Sequence, residues 1–348
     1  MASEFGRLSP PAGGYRRIAV LRLSSIGDVV LTLPVVQALH GAFPDAELHY
    51  WVKEEYQDLV RHDPSVHHVR VLEKDARRIE DLVSMGAEFE DCDLIVDLHG
   101  SLRTRLLTFR QKAPVLSAPT YRWMRERWVR AKWSRPTPTP PALERYAASL
   151  KPLGLHAPSL PKLHAGDAAE RWAEAWFGEA AFERAPLALA PGAQHATKRW
   201  PEDFWVTLTE QAAAAGAPLL VFSTAAERQG LPKLARRIEG MPDARWVLEP
   251  LARAAALLGR CAAAVTHDSG LMHMAAARGL RVVALFGSTS PVLGFAPAGA
   301  GHIVLGHDLS CRPCTVHGRE SCPLGHFRCM RELSVETVWQ AAQGLLGI

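Results

Sequence analysis

The chain has 348 residues, 48% hydrophobic and 22% charged, a length and composition suited to an ordinary soluble globular protein of two medium domains. No apolar run reaches the roughly 18–20 residues that a membrane span needs; the best, Ile18–Val36, is interrupted by Arg22, Asp28 and Pro34. The net charge of +4 is unevenly spread, because Ser101–Arg135 holds ten Lys or Arg against Glu126 alone and nets +9, leaving the rest at −5.

The N-terminus, MASEFGRLSPPAGGYRR, has no apolar signal core, so secretion is not expected and residues 1–15 read as a flexible tail. Arg17–Leu23 is an apolar run, followed by Ser24-Ser25-Ile26-Gly27-Asp28 and a long amphipathic stretch to His40: strand, tight turn, helix. Asp28 thus falls at the carboxyl edge of a strand, where chemistry in open α/β sheets is done, although an acid at a helix start is also favoured by the helix dipole alone. Glu47–Val52 and Val66–Leu72 read as the next strands. Asp91-Cys92-Asp93 resembles an acidic metal-binding pair, but it precedes strand Leu94–Val96 and so lies at the wrong sheet edge; a solvated strand start is the better reading. Asp97–Arg103, with His99, follows that strand and lies at the right edge.

The basic segment comes next, with Trp123, Trp128 and Trp133 interleaved among its arginines. Such a pattern suits single-stranded nucleic acid, an anionic membrane surface or a phosphorylated acceptor, or else a solvated helix whose tryptophans pack inward. Pro136–Pro141 breaks the chain, and the Pro- and Gly-bearing Lys151–Ala165 reads as a linker.

The second half repeats the strand–loop–helix plan. Strand Leu187–Ala190 leads into Pro191–Trp200, and Pro201 with Glu202 and Asp203 opens a helix, which sets Lys198 at a strand's carboxyl edge. Strand Pro218–Phe222 runs into Ser223–Glu227, where Glu227 is either a ribose-binding acid or a helix-start acid. Apolar Cys261–Val265 meets a polar break at Thr266–Gly270, a short helix to Arg278, and a further strand at Val282–Phe286. Backbone N–H groups at Ser269–Leu271 then form a helix N-terminus that favours a phosphate, with His273 one turn on; Asp268 or Ser269 acting merely as a cap is the simpler alternative. Cys311, Cys314, Cys322 and Cys329, with His317 and His326 among them, are compatible with a closed structural zinc site, reduced packing thiols or disulfides, and on none of these readings are they catalytic. Ser334–Leu346 reads as a final amphipathic helix packing back on the first domain. The fold expected is α/β, with two Rossmann-like domains facing across a cleft. Their bounds are 16–150 (N-terminal) and 166–333 (C-terminal), joined by 151–165 and followed by the helix of 334–348.

Three stretches, LRLSSIGDVVLTLPVV (Leu21–Val36), PGA…KRWP (Pro191–Pro201) and DSGLMHMAAA…VVALFGSTSP (Asp268–Pro291), together resemble the lipopolysaccharide heptosyltransferases, family nine of the glycosyltransferases. The likeness runs from about Arg17 to Val338, and the late cysteine cluster is similar to members that add the second core heptose. The resemblance implies a GT-B fold and an inverting, metal-independent transferase with no catalytic cofactor. Its donor is ADP-L-glycero-D-manno-heptose, and its acceptor is the Kdo-bearing inner core on lipid A. It assigns Asp28 as base, Lys198 to phosphate, Glu227 to ribose, and Asp268, Ser269, Gly270 and His273 to the donor turn. Where some members carry hydroxyls this chain has Ala193 and Gln194, so Thr197 or backbone is expected to serve the phosphate. Acceptor contacts are expected from Ser25, Gly27, His99, Arg103, Arg122 and Arg125, with peripheral attachment to the anionic cytoplasmic face of the inner membrane and no nucleic-acid partner. Two rivals remain in view: the same fold with another nucleotide-sugar donor, and a non-enzymatic anionic-polymer-binding protein using 101–135. A dinucleotide oxidoreductase fails, because no G-x-G-x-x-G follows either first strand.

Overall fold

The computed structural model describes residues 8–72, 85–131 and 138–348. They form two compact units, Met1–Thr120 with Ala142–His164, and Tyr121–Pro141 with Ala165–Ile348. Among the described residues no helix is long and apolar enough to cross a membrane.

The first unit is built on β1 (Arg17–Leu21), β2 (Glu47–Lys53), β3 (His68–Leu72), β4 (Leu94–Asp97) and β5 (Val115–Ser117), ordered β3-β2-β1-β4-β5. All four pairings are parallel. A parallel sheet is covered on both faces, and the near-continuous apolar runs of β1 and β4 supply buried residues to both. Helix α1 (Ile26–Ala42) was expected to be amphipathic, yet Val29–Val36 is buried throughout. The helix Ala142–Ala147 packs on it as well as the sheet, so its sequence is apolar on nearly every side. The expected N-terminal tail is tied down over its described part: Leu8 N–H donates to Pro152 O, and buried Tyr15 meets Phe43 edge-on. Asp93 has a structural task, accepting the N–H groups of Arg16 and Arg17 at the start of β1.

The second unit holds β6 (Leu187–Ala190), β7 (Leu219–Phe222), β8 (Ala244–Val247), β9 (Ala263–His267), β10 (Arg281–Leu285) and β11 (Ile303–Leu305). Their order is β11-β10-β9-β6-β7-β8, again wholly parallel. In each sheet the chain winds outward in two directions, from β1 and β4 in the first and from β6 and β9 in the second. Those two central pairs are the topological switch points, where a crevice opens beyond the strands' carboxyl ends.

Two boundaries differ from expectation. The basic helix Arg122–Arg130, placed by sequence in the first domain, packs with the second unit. Trp128 is buried in that unit, Arg125 lies over the Phe295 ring, and Thr139 N–H donates to Val292 O. Trp133, Lys132 and Arg135 lie outside the described residues. The C-terminal helix Val335–Leu346, expected against the first domain, packs in the second unit on the helix Glu202–Ala214 and on β9 and β10. The reason is its apolar face: Val338, Trp339, Ala342 and Leu345 join Trp205, Leu208, Val265 and Val283 in one core.

Candidate active site

At the switch point of the first unit, β1 ends at Leu21 and the chain turns through Ser24-Ser25 into α1. Ser25 occupies the N-cap position, buried Gly27 follows, and Asp28 is the acid of the first turn. Arg22 pairs with Asp28 Oδ2 at 2.7 Å through Nη2. Its Nε donates to Ser24 O and its Nη1 to Leu98 O, each at 2.7 Å. Ser25 Oγ donates to Asp28 Oδ2 at 3.3 Å, and Tyr146 OH donates to Asp28 Oδ1 at 2.5 Å. On the neighbouring strand, Asp97 accepts the N–H groups of His99 and Gly100 and so shapes the loop after β4. Ser101 then caps the helix Leu102–Thr108, which bears Arg103 in its first turn. Burial, with Arg22 next, pulls the His99 imidazole down to about 4, and Lys53 and Arg103 act on it too. His99 is therefore neutral near pH 7. An acid thus stands among three cations at the ends of β1, β2 and β4, an arrangement that fits an anionic molecule bearing a reactive hydroxyl.

At the switch point of the second unit, Lys198 follows β6 and Asp268 follows β9. Lys198 Nζ pairs with Asp268 Oδ2 at 2.8 Å and donates to Asp268 O at 3.1 Å. Thr289 Oγ1 donates to the same Oδ2 at 2.7 Å. Ser269 begins the helix Gly270–Ala277 from an extended backbone without capping it. Its Oγ is buried and has no hydrogen-bond partner among the described residues. His273 is buried one turn on. The helix N-terminus, the ammonium and the serine hydroxyl together offer donors to an anion.

Glu227 makes a capping box with Thr224: Thr224 N–H donates to its Oε2 at 2.8 Å, and Thr224 Oγ1 accepts its N–H. The same carboxylate lies against Gly192 in the loop after β6, where a Cβ would stand 2.2 Å from Oε1. A side chain at position 192 would displace that carboxylate, the free end of a flexible side chain, from its place against the loop. Thr197 is buried, bonded to Ser288 Oγ at 2.9 Å and accepting Arg319 N–H at 2.8 Å.

His267 is a residue the sequence did not single out. It is wholly buried at the end of β9, its Nε2 accepts Trp200 N–H at 2.8 Å, and its Nδ1 contacts Gly192 O at 3.3 Å. Burial pulls its imidazole down to about 4. A neutral Nδ1–H tautomer therefore holds both ends of the Gly192–Trp200 loop. The only sequence signal was a polar residue closing an apolar strand.

A family model for glycosyltransferase family 9 (heptosyltransferase) matches residues 84–324. The chain belongs to that family. It is a heptosyltransferase of lipopolysaccharide core biosynthesis, a transferase with two parallel-sheet domains of the GT-B class. It is 29% identical over 327 residues to lipopolysaccharide heptosyltransferase 1 of Pseudomonas aeruginosa, covering 86% of each chain. It is 35% identical over 121 residues to lipooligosaccharide heptosyltransferase 2 of Haemophilus influenzae, covering 31% of this chain and 33% of that one. Among solved structures it resembles a family 9 glycosyltransferase from Veillonella parvula, with TM-score 0.78 and 23% identity over 95% of this chain and 97% of that one. It also resembles the E. coli ADP-heptose LPS heptosyltransferase II, with TM-score 0.73 and 22% identity over 95% and 98%.

The family-derived acceptor residues are divided between the two units. Ser25, Gly27, His99 and Arg103 lie in the first unit, whereas Arg122 and Arg125 lie in the second. Arg122 is exposed and pairs with Glu126, so the basic helix presents its charge to solvent while Trp128 faces inward. Trp123 is the exception to the inward reading, at 69% exposure with Arg127 over its ring.

The cysteine segment braces the loop after β10. Arg312 donates to the carbonyls of Phe286, Gly287, Thr289 and His307, and Cys314 N–H donates to Ser288 O. Thr289, held this way, is the residue that bonds Asp268. No disulfide is present among the described residues, which include all six cysteines. Nor do the four late ones, with their histidines, bring three ligand atoms within 4.8 Å of one another; Cys311 Sγ stands 3.9 Å from His326 Nε2. The described group that does is Glu47, His49 and His68 on β2 and β3, where Arg70 Nε also donates to His49 Nδ1.

Proposed function

We propose that this heptosyltransferase transfers heptose with inversion from ADP-L-glycero-D-manno-heptose to the Kdo-bearing inner core of lipid A, without a catalytic metal. Asp28 takes the proton of the acceptor hydroxyl as its oxygen bonds to the anomeric carbon. The bond from that carbon to the β-phosphate oxygen breaks, and ADP leaves with the electron pair. Negative charge grows on the phosphate, and preorganised donors lower the barrier most when aimed there. Lys198, Ser269 and the N–H groups opening the Gly270–Ala277 helix supply them, with His273 one turn further in. Glu227 accepts from the ribose hydroxyls. The single observation that carries this reading is the Lys198–Asp268–Thr289 network beside an uncapped helix N-terminus at a sheet switch point. A fixed ammonium there supplies the positive charge that a metal supplies in other transferases.

The relatives favour the donor: solved structures of E. coli heptosyltransferase WaaC hold ADP and ADP-2-deoxy-2-fluoro heptose. His99, Arg103 and Lys53 suit the carboxylates and phosphates of the acceptor, and the exposed arginines of Arg122–Arg130 suit the anionic cytoplasmic face of the inner membrane. Relatives of both the first and the second heptosyltransferase type match; the cysteine cluster favours the second. The deciding measurement is a transfer assay in EDTA with Kdo-lipid A bearing no heptose or one heptose, alongside a thermal-shift comparison of ADP-heptose with other ADP-, UDP- and GDP-sugars. Heptose transfer in EDTA and stabilisation by ADP-heptose alone are expected; a larger shift with another sugar nucleotide would replace the donor.

A further inference from the structure

Both oxygens of the Asp28 carboxylate are held from within the first unit. Tyr146 OH donates to Oδ1 at 2.5 Å from the helix Ala142–Ala147, more than a hundred residues away in sequence. Arg22 Nη2 holds Oδ2 at 2.7 Å. The guanidinium is itself immobilised, since Nε and Nη1 are spent on the carbonyls of Ser24 and Leu98, and its carbon lies 5.3 Å from the Tyr146 ring centre. Burial, with Asp28 next, pushes the Tyr146 phenol up, so it stays protonated and remains a donor.

We infer that Arg22 and Tyr146 are positioning residues for the Asp28 base, fixing the plane of its carboxylate. A carboxylate held at both oxygens from two separate elements has no rotation to lose when the acceptor hydroxyl arrives, and orientation of this kind is worth large rate factors. Hydrogen bonds and a cation both favour the ionised form of a carboxylate, and losing one removes part of that support. The groups facing Asp28 are Arg22 from the end of β1, Ser25 from the turn, Tyr50 from β2, His99 from the loop after β4 and Tyr146; Lys53, Arg103 and Arg145 stand beyond them. This inference rests on the role given to Asp28 above.

The test measures steady-state transfer from ADP-heptose to Kdo-lipid A for the full-length chain across pH 4–9, with Asp28→Asn and Tyr146→Phe. Asp28→Asn is expected to abolish turnover. Tyr146→Phe is expected to lower kcat by about 10- to 100-fold, with KM for either substrate little changed, and to move the acid limb of kcat upward, since the carboxylate loses a donor. Because His99 titrates on the same side, the shift is also read in a His99→Gln background, where it should persist. If Asp28→Asn is inactive but Tyr146→Phe keeps the wild-type limb, Tyr146 serves packing alone and the inference fails, whatever its thermal midpoint. If Asp28→Asn keeps turnover, it is the assignment of the base that fails. Should Tyr146→Phe not fold, Arg22→Lys, which keeps the charge but loses the fork, reads the same two quantities.

Discussion

Lys198 carries three N–H donors, and two of them are spent on Asp268. The third is what a phosphate oxygen can use, so Asp268 positions the ammonium while Thr289 in turn steadies Asp268. Replacing Lys198 with Ala should lower turnover about 10²–10³-fold, the usual effect of removing one charge-stabilising donor; near-normal turnover of a folded variant would end its role. Gly192 makes a separate prediction. A methyl group there would overlap the Glu227 carboxylate, so Gly192→Ala should raise KM for the donor and lower the thermal midpoint. In a Glu227→Ala background the same substitution should cost much less, and equal costs in both backgrounds would show that the two residues are not coupled. The PGA motif was visible in the sequence, but the acid that lies against its glycine is 35 positions on, and nothing in local pattern links the two.

At the level of elements, packing overrode position in the chain. The C-terminal helix has an apolar face with no stated partner in sequence; it joins the core nearest to it, that of the second unit. Trp339→Ala should therefore destabilise that unit by about 3–5 kcal/mol, seen as an early transition in chemical denaturation, with the first unit's transition unmoved. The basic helix behaves differently because Trp128 and Arg125 anchor it while Arg122, Arg127 and Arg130 stay in water. Exchanging Arg122, Arg127 and Arg130 for Ser should weaken binding to vesicles containing anionic lipid, more so at low than at high salt. Binding that is unchanged at low salt would remove the membrane role.

Across the whole molecule, each unit contains a histidine held near pKa 4, His99 in one and His267 in the other. Unfolded histidine takes up its proton near 6.5. Between about 6.5 and 4 the unfolded chain therefore binds more protons than the folded one, and stability falls as pH drops through that window. Above 6.5 neither group contributes a slope. Wholly buried His267 should dominate, at up to about 1.4 kcal/mol per pH unit, with partly exposed His99 contributing less. A denaturation midpoint that drops between pH 7 and 5 in the wild type, and drops less in His267→Gln, would bear this out.

The strand–turn–helix repeats and the residues at strand ends could be read from one dimension, because a parallel sheet buries both faces and announces its strands as short apolar runs. Asp28, Lys198 and Asp268 stood out because a charged or polar break after such a run can only fall at the sheet's edge. What partners them was decided in three dimensions. Tyr146 reaches Asp28 and Thr289 reaches Asp268 through crossovers of 118 and 21 residues. Periodicity reports which face of an element is buried, but not which distant side chain will be pressed against it.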